Sequence, residues 1–381
     1  MSFLTPQALR YIEENQQSLV DLIAHLCTIP APSNHEEQRA AFCKQWLEDA
    51  GATGVFIDDA LNVIFPLGCE GDGPVSVFMA HTDTVFPDTE PFTPRIEDGK
   101  MHCPGVGDDT ANLATLLLCA KYVIQNGLKP ADGGVVFVAN AGEEGLGNLK
   151  GSRAVMERYG RRVRQFISYD GSYPNICSRA VGSSRYRVEV LTEGGHSFGS
   201  FGNRNAIHLL AQMITDFYAL KVPVDGDSKT TYNVGGIQGG TSVNTIAQQA
   251  SMLFEYRSDS GVCLEKMEEF FQSVIAHYRT MGITVNVELL GKRPGMGDVD
   301  PAAMDALKNK MSAIMEEFCG KPATYSSGST DANIPLSMGI PSLVFGAYHG
   351  RGAHTREEYI ELDSLPTGFK IVLASILDCF A

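Results

Sequence analysis

Metal-capable side chains follow each of four short apolar segments in this chain. They are imidazoles and carboxylates, and each stands within a few residues of the end of its segment: His81 and Asp83, Glu143 and Glu144, Asp170, and His354. Burying several carboxylates together is costly unless they are protonated or a cation accompanies them. Imidazole and carboxylate ligands without thiolates suit Zn²⁺, with Co²⁺ or Mn²⁺ as substitutes. These residue types therefore predict a metal centre, provided that the fold brings them together.

The apolar segments that precede these side chains have the composition of strands buried on both faces. Glycine or proline bounds them, and they cover residues 75–80, 134–140, 164–169 and 340–347. Helical segments alternate with them, which predicts an α/β fold with a mixed, largely parallel sheet flanked by helices. In such sheets ligands bind beyond the carboxyl ends of the strands, so the four groups are expected to meet at one edge. One helix is predicted over residues 35–50, capped by Ser33 with Glu36 completing a capping box.

A glycine-rich loop from Cys103 to Thr110 supplies the fifth group. It leads into an apolar helix predicted over 111–125, so Asp108 and Asp109 lie at the positive end of the helix dipole. Three carboxylates and one hydroxide would neutralise two divalent cations, and the three carboxylates are those of Asp108, Glu144 and Asp170. We therefore expect two zinc ions per subunit with a bridging water between them. Glu143, next to the ligand Glu144, is predicted to deprotonate that water and to pass the proton to the leaving nitrogen.

The pattern of the chain changes between residues 181 and 291. Alternating strands are predicted over 183–193, within 230–258 and over 283–290, with helices over 205–221 and 264–281. This is a compact α+β unit, and α/β character resumes after it. The sequence thus predicts a domain of residues 181–291 inserted into a catalytic domain formed by residues 1–180 plus 292–381.

Composition excludes several classes of partner. Acidic residues outnumber basic ones by 45 to 30, and the resulting net charge of −15 disfavours nucleic acid. No apolar run is long enough for a membrane span, and the first residues lack the pattern of an export signal. Nine scattered cysteines without a paired motif are typical of reduced thiols. We therefore expect a cytoplasmic protein without a membrane partner.

A competing motif lies at residues 195–199. Gly-His-Ser-Phe-Gly matches the nucleophile elbow of serine hydrolases, in which a helix starts directly after the serine. Here the next helix is predicted to begin only near Asn205, which disfavours Ser197 as a nucleophile. A serine hydrolase is therefore the weaker alternative to a metal-dependent enzyme.

Eight segments of the chain, in order, resemble those of the M20 family of metallopeptidases, which includes tripeptidase T and acetylornithine deacetylase. They are MAHTDTV, GVGDDTANLATLL, ANAGEEGLG, SYDGS, GGHSFGSFGNRNAI, GGTSVNTIAQQASMLFEYRS, SGSTDANIPLSMGIPSLVFG and AHTREEYIEL. The resemblance covers nearly the whole chain and implies a zinc-exopeptidase-like fold, with the insertion as a lid and dimerisation domain of a homodimer. It also implies a cis peptide bond between Asp108 and Asp109.

The resemblance assigns roles to individual residues. One metal ion would be held by His81, Asp108 and Asp170, and the other by Asp108, Glu144 and His354, so that Asp108 bridges the two. Asp83 would orient His81. His196 would reach from the partner subunit to stabilise the oxyanion, and three further residues would contact substrate: Asn244, Arg257 and Gly328.

The resemblance leads to a specific expectation of function. The protein is expected to cleave an amide bond in a small peptide, as a tripeptidase T-like exopeptidase. An N-acyl amino acid deacylase is the alternative within the family. A noncatalytic amino-acid-binding relative is a third reading, which the presence of the general base Glu143 disfavours.

Overall fold

The chain divides into two compact units in the computed structural model, which describes residues 2–380 apart from the side chain of Leu146. The first unit combines Met1–Arg179 with Asp298–Ala381, and the second is Ala180–Gly297. The sequence predicts boundaries at 180/181 and 291/292, and the chain passes between the units at 179/180 and 297/298. The first unit is therefore discontinuous in sequence. The role of the second unit as a lid and dimerisation domain stays a prediction.

The helices and strands alternate along much of the chain. The helices are Pro6–Glu14 (α1), Gln16–Cys27 (α2), Glu37–Asp49 (α3), Asn112–Gln125 (α4), Lys150–Tyr159 (α5), Ala206–Tyr218 (α6), Gly261–Thr280 (α7), Pro301–Cys319 (α8), Asn333–Ser337 (α9) and Leu365–Leu377 (α10). The strands are Phe56–Ile57 (β1), Val63–Leu67 (β2), Val75–His81 (β3), Arg95–Glu97 (β4), Lys100–His102 (β5), Gly134–Asn140 (β6), Val163–Ser168 (β7), Asn175–Ala180 (β8), Gly182–Leu191 (β9), Gly195–His196 (β10), Thr230–Gly239 (β11), Thr245–Ile246 (β12), Gln249–Ser258 (β13), Thr284–Arg293 (β14), Thr324–Gly328 (β15), Ser342–Val344 (β16), Gly350–Arg351 (β17) and Tyr359–Glu361 (β18).

An eight-stranded mixed sheet forms the centre of the first unit. Its strand order is β1-β2-β6-β3-β7-β16-β8-β15. The four central strands β6, β3, β7 and β16 run parallel, whereas β2 and β8 pair antiparallel on either side of them. The predicted α/β class with a mixed, largely parallel sheet is confirmed.

The central strands form because nearly all of their side chains can be buried; of their residues only Arg164 on β7 is exposed. All residues of β3 and β6 are buried, as expected for strands covered on both faces. Each fully buried large apolar side chain contributes about 1.5–3 kcal/mol through the hydrophobic effect. One face of the eight-stranded sheet packs on α5, and the apolar helix α4 packs against strand β3. This double cover fixes the strand ends, which carry the candidate site.

Two local predictions differ from the structure. The segment predicted as a strand over 340–347 is a strand only at Ser342–Val344, and the chain then continues as a loop. Ser33 does not cap α3, since Glu36 is the residue at the N-terminal cap and no side chain caps that end. The capping-box prediction is wrong because the Ser33 hydroxyl donates instead to Asp83, fifty residues further along the chain.

The second unit contains a four-stranded antiparallel sheet in the order β11-β13-β9-β14. Helices α6 and α7 pack on this sheet around a buried core that includes Val188, Phe254 and Phe271. A separate ribbon pairs β10 with β12. After Ser197 the chain continues as a loop, and α6 begins only at Ala206, capped by the side chain of Asn205. The geometry of a nucleophile elbow is therefore not present at Ser197.

Within residues 2–380, no helix combines the length and the apolar character that crossing a lipid bilayer would require.

Candidate metal centre

The carboxylate of Asp108 lies between two imidazoles. Its Oδ1 atom is 3.1 Å from Nε2 of His81, and its Oδ2 atom is 3.1 Å from Nε2 of His354. The same His354 nitrogen is 3.1 Å from Oε1 of Glu144. The Asp108 carboxylate thus has an imidazole nitrogen at each of its two oxygens, which is the arrangement that a bridging ligand requires.

The parallel strands bring these residues to one edge of the sheet. His81 is the last residue of β3, in register with Asn140 at the end of the neighbouring strand β6, and Glu144 follows in the next turn. Asp170 follows β7 on the other side of β3, and its N–H donates to the carbonyl of Phe345 beyond β16. The crowding of reactive side chains here follows directly from the strand order.

A second group of potential metal ligands combines Asp109 and Asp170 with His81. Their carboxylate oxygens and a ring nitrogen of His81 lie within 4.8 Å of one another, as do the ligand atoms of His81, Asp108 and Glu144. The carboxylate of Asp109 already accepts hydrogen bonds from the His81 N–H at 2.9 Å and from the Asn112 side chain at 2.7 Å. The peptide bond between Asp108 and Asp109 is cis, as the family resemblance implies. Asp109 therefore supports the backbone of His81, while Asp108 faces the histidine rings.

The loop that carries Asp108 is held by Glu358, a residue that the sequence analysis did not single out. The carboxylate of Glu358 accepts hydrogen bonds from the N–H groups of Gly105, Gly107 and Asp108 at 2.6, 2.9 and 2.8 Å. Glu358 is buried although it stands beside the exposed Glu357. No local pattern marks it, because its three partners lie about 250 residues earlier in the chain.

Asp83 organises the turn that presents both glutamates. Its two carboxylate oxygens accept the N–H groups of Glu143 at 3.0 Å and Glu144 at 2.9 Å. Its own carbonyl lies 3.0 Å from Nδ1 of His81, and its Oδ1 lies 3.4 Å from that nitrogen. An imidazole that donates from Nδ1 keeps Nε2 free as a ligand. Asp83 thus holds the His81 ring and the Glu143–Glu144 turn in one arrangement.

Two further residues near Asp83 have supporting roles that the sequence did not predict. The Ser33 hydroxyl donates to the Asp83 carboxylate at 2.7 Å. The buried guanidinium of Arg39 donates to the carbonyl of Thr82 at 2.8 Å and to that of Ile29 at 2.7 Å. Arg39 therefore fixes the backbone between His81 and Asp83.

The charges of the cluster shift the pKa values of its members. Burial would lower the pKa of His81, but the carboxylates of Asp109, Asp108 and Asp83 raise it well above its usual value. Hydrogen bonds to Asp108 and Glu144 raise the pKa of His354 to about 10. Burial and the neighbouring negative charges raise the pKa of Asp170 to about 7. Without metal ions, the cluster therefore holds protons in place of cations.

The donor set fits two divalent ions. It contains imidazole nitrogens and carboxylate oxygens, without a thiolate, and these ligands suit zinc, cobalt or manganese. Over the described residues 2–380, the carboxylates of Asp108, Glu144 and Asp170 form no ion pair with a lysine or arginine. Histidine rings are the ion-pair partners of Asp108 and Glu144. Divalent cations would supply the missing positive charge.

The residues predicted in the second unit lie on its ribbon, beside it, or on its sheet. His196 ends β10 and is exposed, and its Nδ1 accepts the N–H groups of Phe198 and Gly199 at 3.3 Å each. The Asn244 carbonyl accepts the Ser197 N–H at 2.9 Å. Arg257 on β13 pairs with Glu255, at 3.0 Å between Nη2 and Oε2. A substrate carboxylate at Arg257 would have to compete with this ion pair.

Gly328, the remaining predicted substrate contact, belongs to the first unit. It is the last residue of β15, at the edge of the eight-stranded sheet. A Cβ atom at this position would lie 2.9 Å from the sulfur of Cys177, so the strand packs closely there.

Comparison with known proteins defines the class to which this fold and site belong. The family model of peptidase family M20/M25/M40 matches residues 77–378. The chain belongs to this family, and it is a metallopeptidase-type hydrolase of peptide or amide bonds.

Individual relatives can be aligned with nearly the whole length of this chain. The YqjE protein of Bacillus subtilis is 25% identical over 95% of this chain and 98% of its own length. A succinyl-diaminopimelate desuccinylase of Corynebacterium glutamicum is 26% identical over 90% of this chain and 92% of its own length. The crystal structure of aminopeptidase PepT from Bacillus cereus matches with a TM-score of 0.70 and 25% identity, over 95% of this chain and 98% of that one. The relatives thus include both a peptidase and a deacylase.

Proposed function

We propose that this protein is a dinuclear zinc exopeptidase that cleaves an amide bond in a small peptide, as tripeptidase T does. The observation that carries the proposal is the Asp108 carboxylate, with one oxygen 3.1 Å from His81 and the other 3.1 Å from His354. We assign His81, Asp108 and Asp170 to one ion and Asp108, Glu144 and His354 to the other. When bound, two such ions would lower the pKa of water and polarise the substrate carbonyl.

The chain's own residues would carry the proton transfers. The side chain of Glu143 is buried, and its backbone is fixed by Asp83 next to the proposed ligand Glu144. In this role Glu143 accepts the proton of the attacking water and returns it to the leaving nitrogen. Asp83 keeps the His81 ring in its ligating orientation.

His196 is the proposed oxyanion donor, supplied by the partner subunit of a homodimer. Because its Nδ1 accepts two backbone N–H groups, the neutral ring carries its proton on Nε2. A donor of this kind at a developing oxyanion is worth about 2.7–4 kcal/mol of barrier. We further propose that Asn244, Arg257 and Gly328 contact the substrate, and that the protein is cytoplasmic.

The alternative function is an N-acyl amino acid deacylase. The desuccinylase relatives favour this second candidate, since their names describe removal of an acyl group from an amino acid. Both functions use the same metal centre and differ in what lies on the two sides of the cleaved bond. The peptidase is preferred because of the PepT match.

A substrate panel tests the choice. The metal-reconstituted protein is assayed against tripeptides, dipeptides, N-acetyl amino acids and N-succinyl amino acids, and the released amino group is measured. We expect the highest kcat/KM with a tripeptide. Turnover of acylated amino acids alone would overturn the peptidase assignment in favour of the deacylase.

The role of Glu143 is tested separately. In Glu143→Ala, hydrolysis should be abolished while elemental analysis still finds two metal ions per subunit. Glu157→Ala is the matched control, because Glu157 is exposed on α5, the helix that follows the Glu143–Glu144 turn. Loss of metal together with activity in Glu143→Ala would show that this glutamate is a ligand rather than the base.

A further inference from the structure

The carboxylate of Glu358 occupies a cradle of backbone N–H groups beside the metal centre. Three N–H groups from the four residues Gly105 to Asp108 converge on it, and both carboxylate oxygens are used. Successive backbone N–H groups arranged in this way form an anion-binding concavity. Here a side chain of the same chain, only 1% exposed, fills the concavity.

The Asp108 loop needs this external acceptor. Between Gly105 and α4 the backbone is irregular, with φ −99° and ψ 89° at Asp108, so regular helical bonding is interrupted. N–H groups at the start of a helix have no acceptor within the helix itself. Glu358 supplies the acceptor for Gly107 and for Asp108. The position of the Asp108 backbone therefore depends on a residue about 250 positions later.

Glu358 also belongs to the loop that carries His354. It stands four residues after His354, and its carbonyl accepts the Cys103 N–H at 3.1 Å. The segment 354–358 is thus joined to the segment 103–108 by both a side chain and the backbone. These two segments carry Asp108 and His354, whose Oδ2 and Nε2 atoms lie 3.1 Å apart.

We propose that Glu358 is the positioning residue that holds Asp108 against the His354 loop and so determines the affinity for the second metal ion, the one assigned to Asp108, Glu144 and His354. The proposal rests on the two-metal centre of the proposed function. The first ion depends on it less, because His81 ends β3 and Asp170 follows β7, so the central sheet positions both. The second ion depends on it more, because His354 lies in a loop.

Two variants impair the Glu358 acceptor in different ways. Glu358→Gln keeps the size of the side chain but turns one acceptor oxygen into a donor facing a backbone N–H. Glu358→Asp keeps the charge but is one methylene shorter and cannot reach all three N–H groups. Glu357→Gln is the matched control, since Glu357 is the adjacent exposed glutamate. Co²⁺ is titrated into each metal-free protein in competition with a chelator, and its visible absorption is recorded.

We expect both Glu358 variants to bind the second Co²⁺ about 10- to 100-fold more weakly, as is usual when a group that orients a ligand is lost. The first Co²⁺ should be affected much less, and Glu357→Gln should match the wild type. Circular dichroism of the metal-free variants reports whether they fold. If Glu358→Gln does not fold, Glu358→Asp alone decides.

The outcomes are distinguishable. A second Co²⁺ bound with wild-type affinity by the folded variants would overturn the proposal, and equal weakening of both ions would overturn its assignment to the second ion. A wild-type chain that binds two ions but hydrolyses no peptide would overturn only the proposed function. A wild-type chain that binds no second ion would overturn both.

Discussion

Replacing Asp83 by asparagine tests whether one buried carboxylate organises the site. Asp83 is fully buried and accepts the N–H groups of Glu143 and Glu144 together with the Ser33 hydroxyl. Asparagine has nearly the same shape but only one acceptor oxygen. Whichever way its amide is oriented, an NH₂ group faces one of the two backbone N–H groups.

The expected magnitude follows from this hydrogen-bond count. A buried donor left without an acceptor costs about 1–3 kcal/mol, so the free energy of unfolding should fall by that amount. Metal affinity should fall about 10- to 100-fold, because the turn that presents Glu144 and the His81 ring loosen together. Ser33→Ala removes only one of the hydrogen bonds and should cost about 1 kcal/mol.

The assay is urea unfolding of the metal-free and metal-loaded proteins, together with a chelator competition. Asp132→Asn is the control, because Asp132 is 71% exposed and its ion pair with Arg164 is a surface pair worth about 0–1 kcal/mol. Asp83→Asn with wild-type metal affinity and stability would refute the reasoning. A Ser33→Ala effect larger than that of Asp83→Asn would also contradict it.

Two more predictions concern the Asp108 loop and the protons of the metal-free cluster. Gly107→Ala should lower the free energy of unfolding, measured in urea, by about 1–3 kcal/mol, because the new Cβ would lie 2.5 Å from the buried Tyr348 hydroxyl. Gly71→Ala is the control and should be nearly neutral, because no atom lies within 4 Å of a Cβ at that position. The stability of the metal-free protein should fall as the pH rises from about 5 to 8. Burial raises the pKa of Asp170 and of Glu358 to about 7, so unfolding in this range releases their protons and becomes easier as the pH rises. The pKa of His354, raised to about 10, also makes the folded state less stable with rising pH, above about pH 6.5. Stability that is constant or rises over this range would contradict the assignment, and saturating zinc should abolish the decline.

The strand ends of the central sheet could be predicted because their signal is local. Val75–His81 and Gly134–Asn140 are mostly apolar, and the reactive residues stand at their carboxyl ends or in the turns that follow. The parallel order of the strands then places His81 and the Glu143–Glu144 turn side by side. Because this signal is contained in each short segment, the sequence was sufficient to predict the fold class.

The supporting residues could not be predicted because their partners are distant in sequence. Ser33 has the local pattern of a helix cap, yet its hydroxyl bonds to Asp83. Glu358 stands in a pair of glutamates that looks solvated, yet it bonds to a loop about 250 residues earlier. Hydrogen bonds of this kind depend on how the segments pack, and neither periodicity nor composition records them.

The discontinuity of the first unit has a consequence for how the protein is made. A ribosome delivers His81, Asp108, Glu144 and Asp170 first, then all of Ala180–Gly297, and only afterwards His354 and Glu358. The last imidazole and the carboxylate that secures the Asp108 loop therefore emerge after the intervening unit has been synthesised. During translation the proposed metal centre therefore stays incomplete until residues 354–358 have been synthesised.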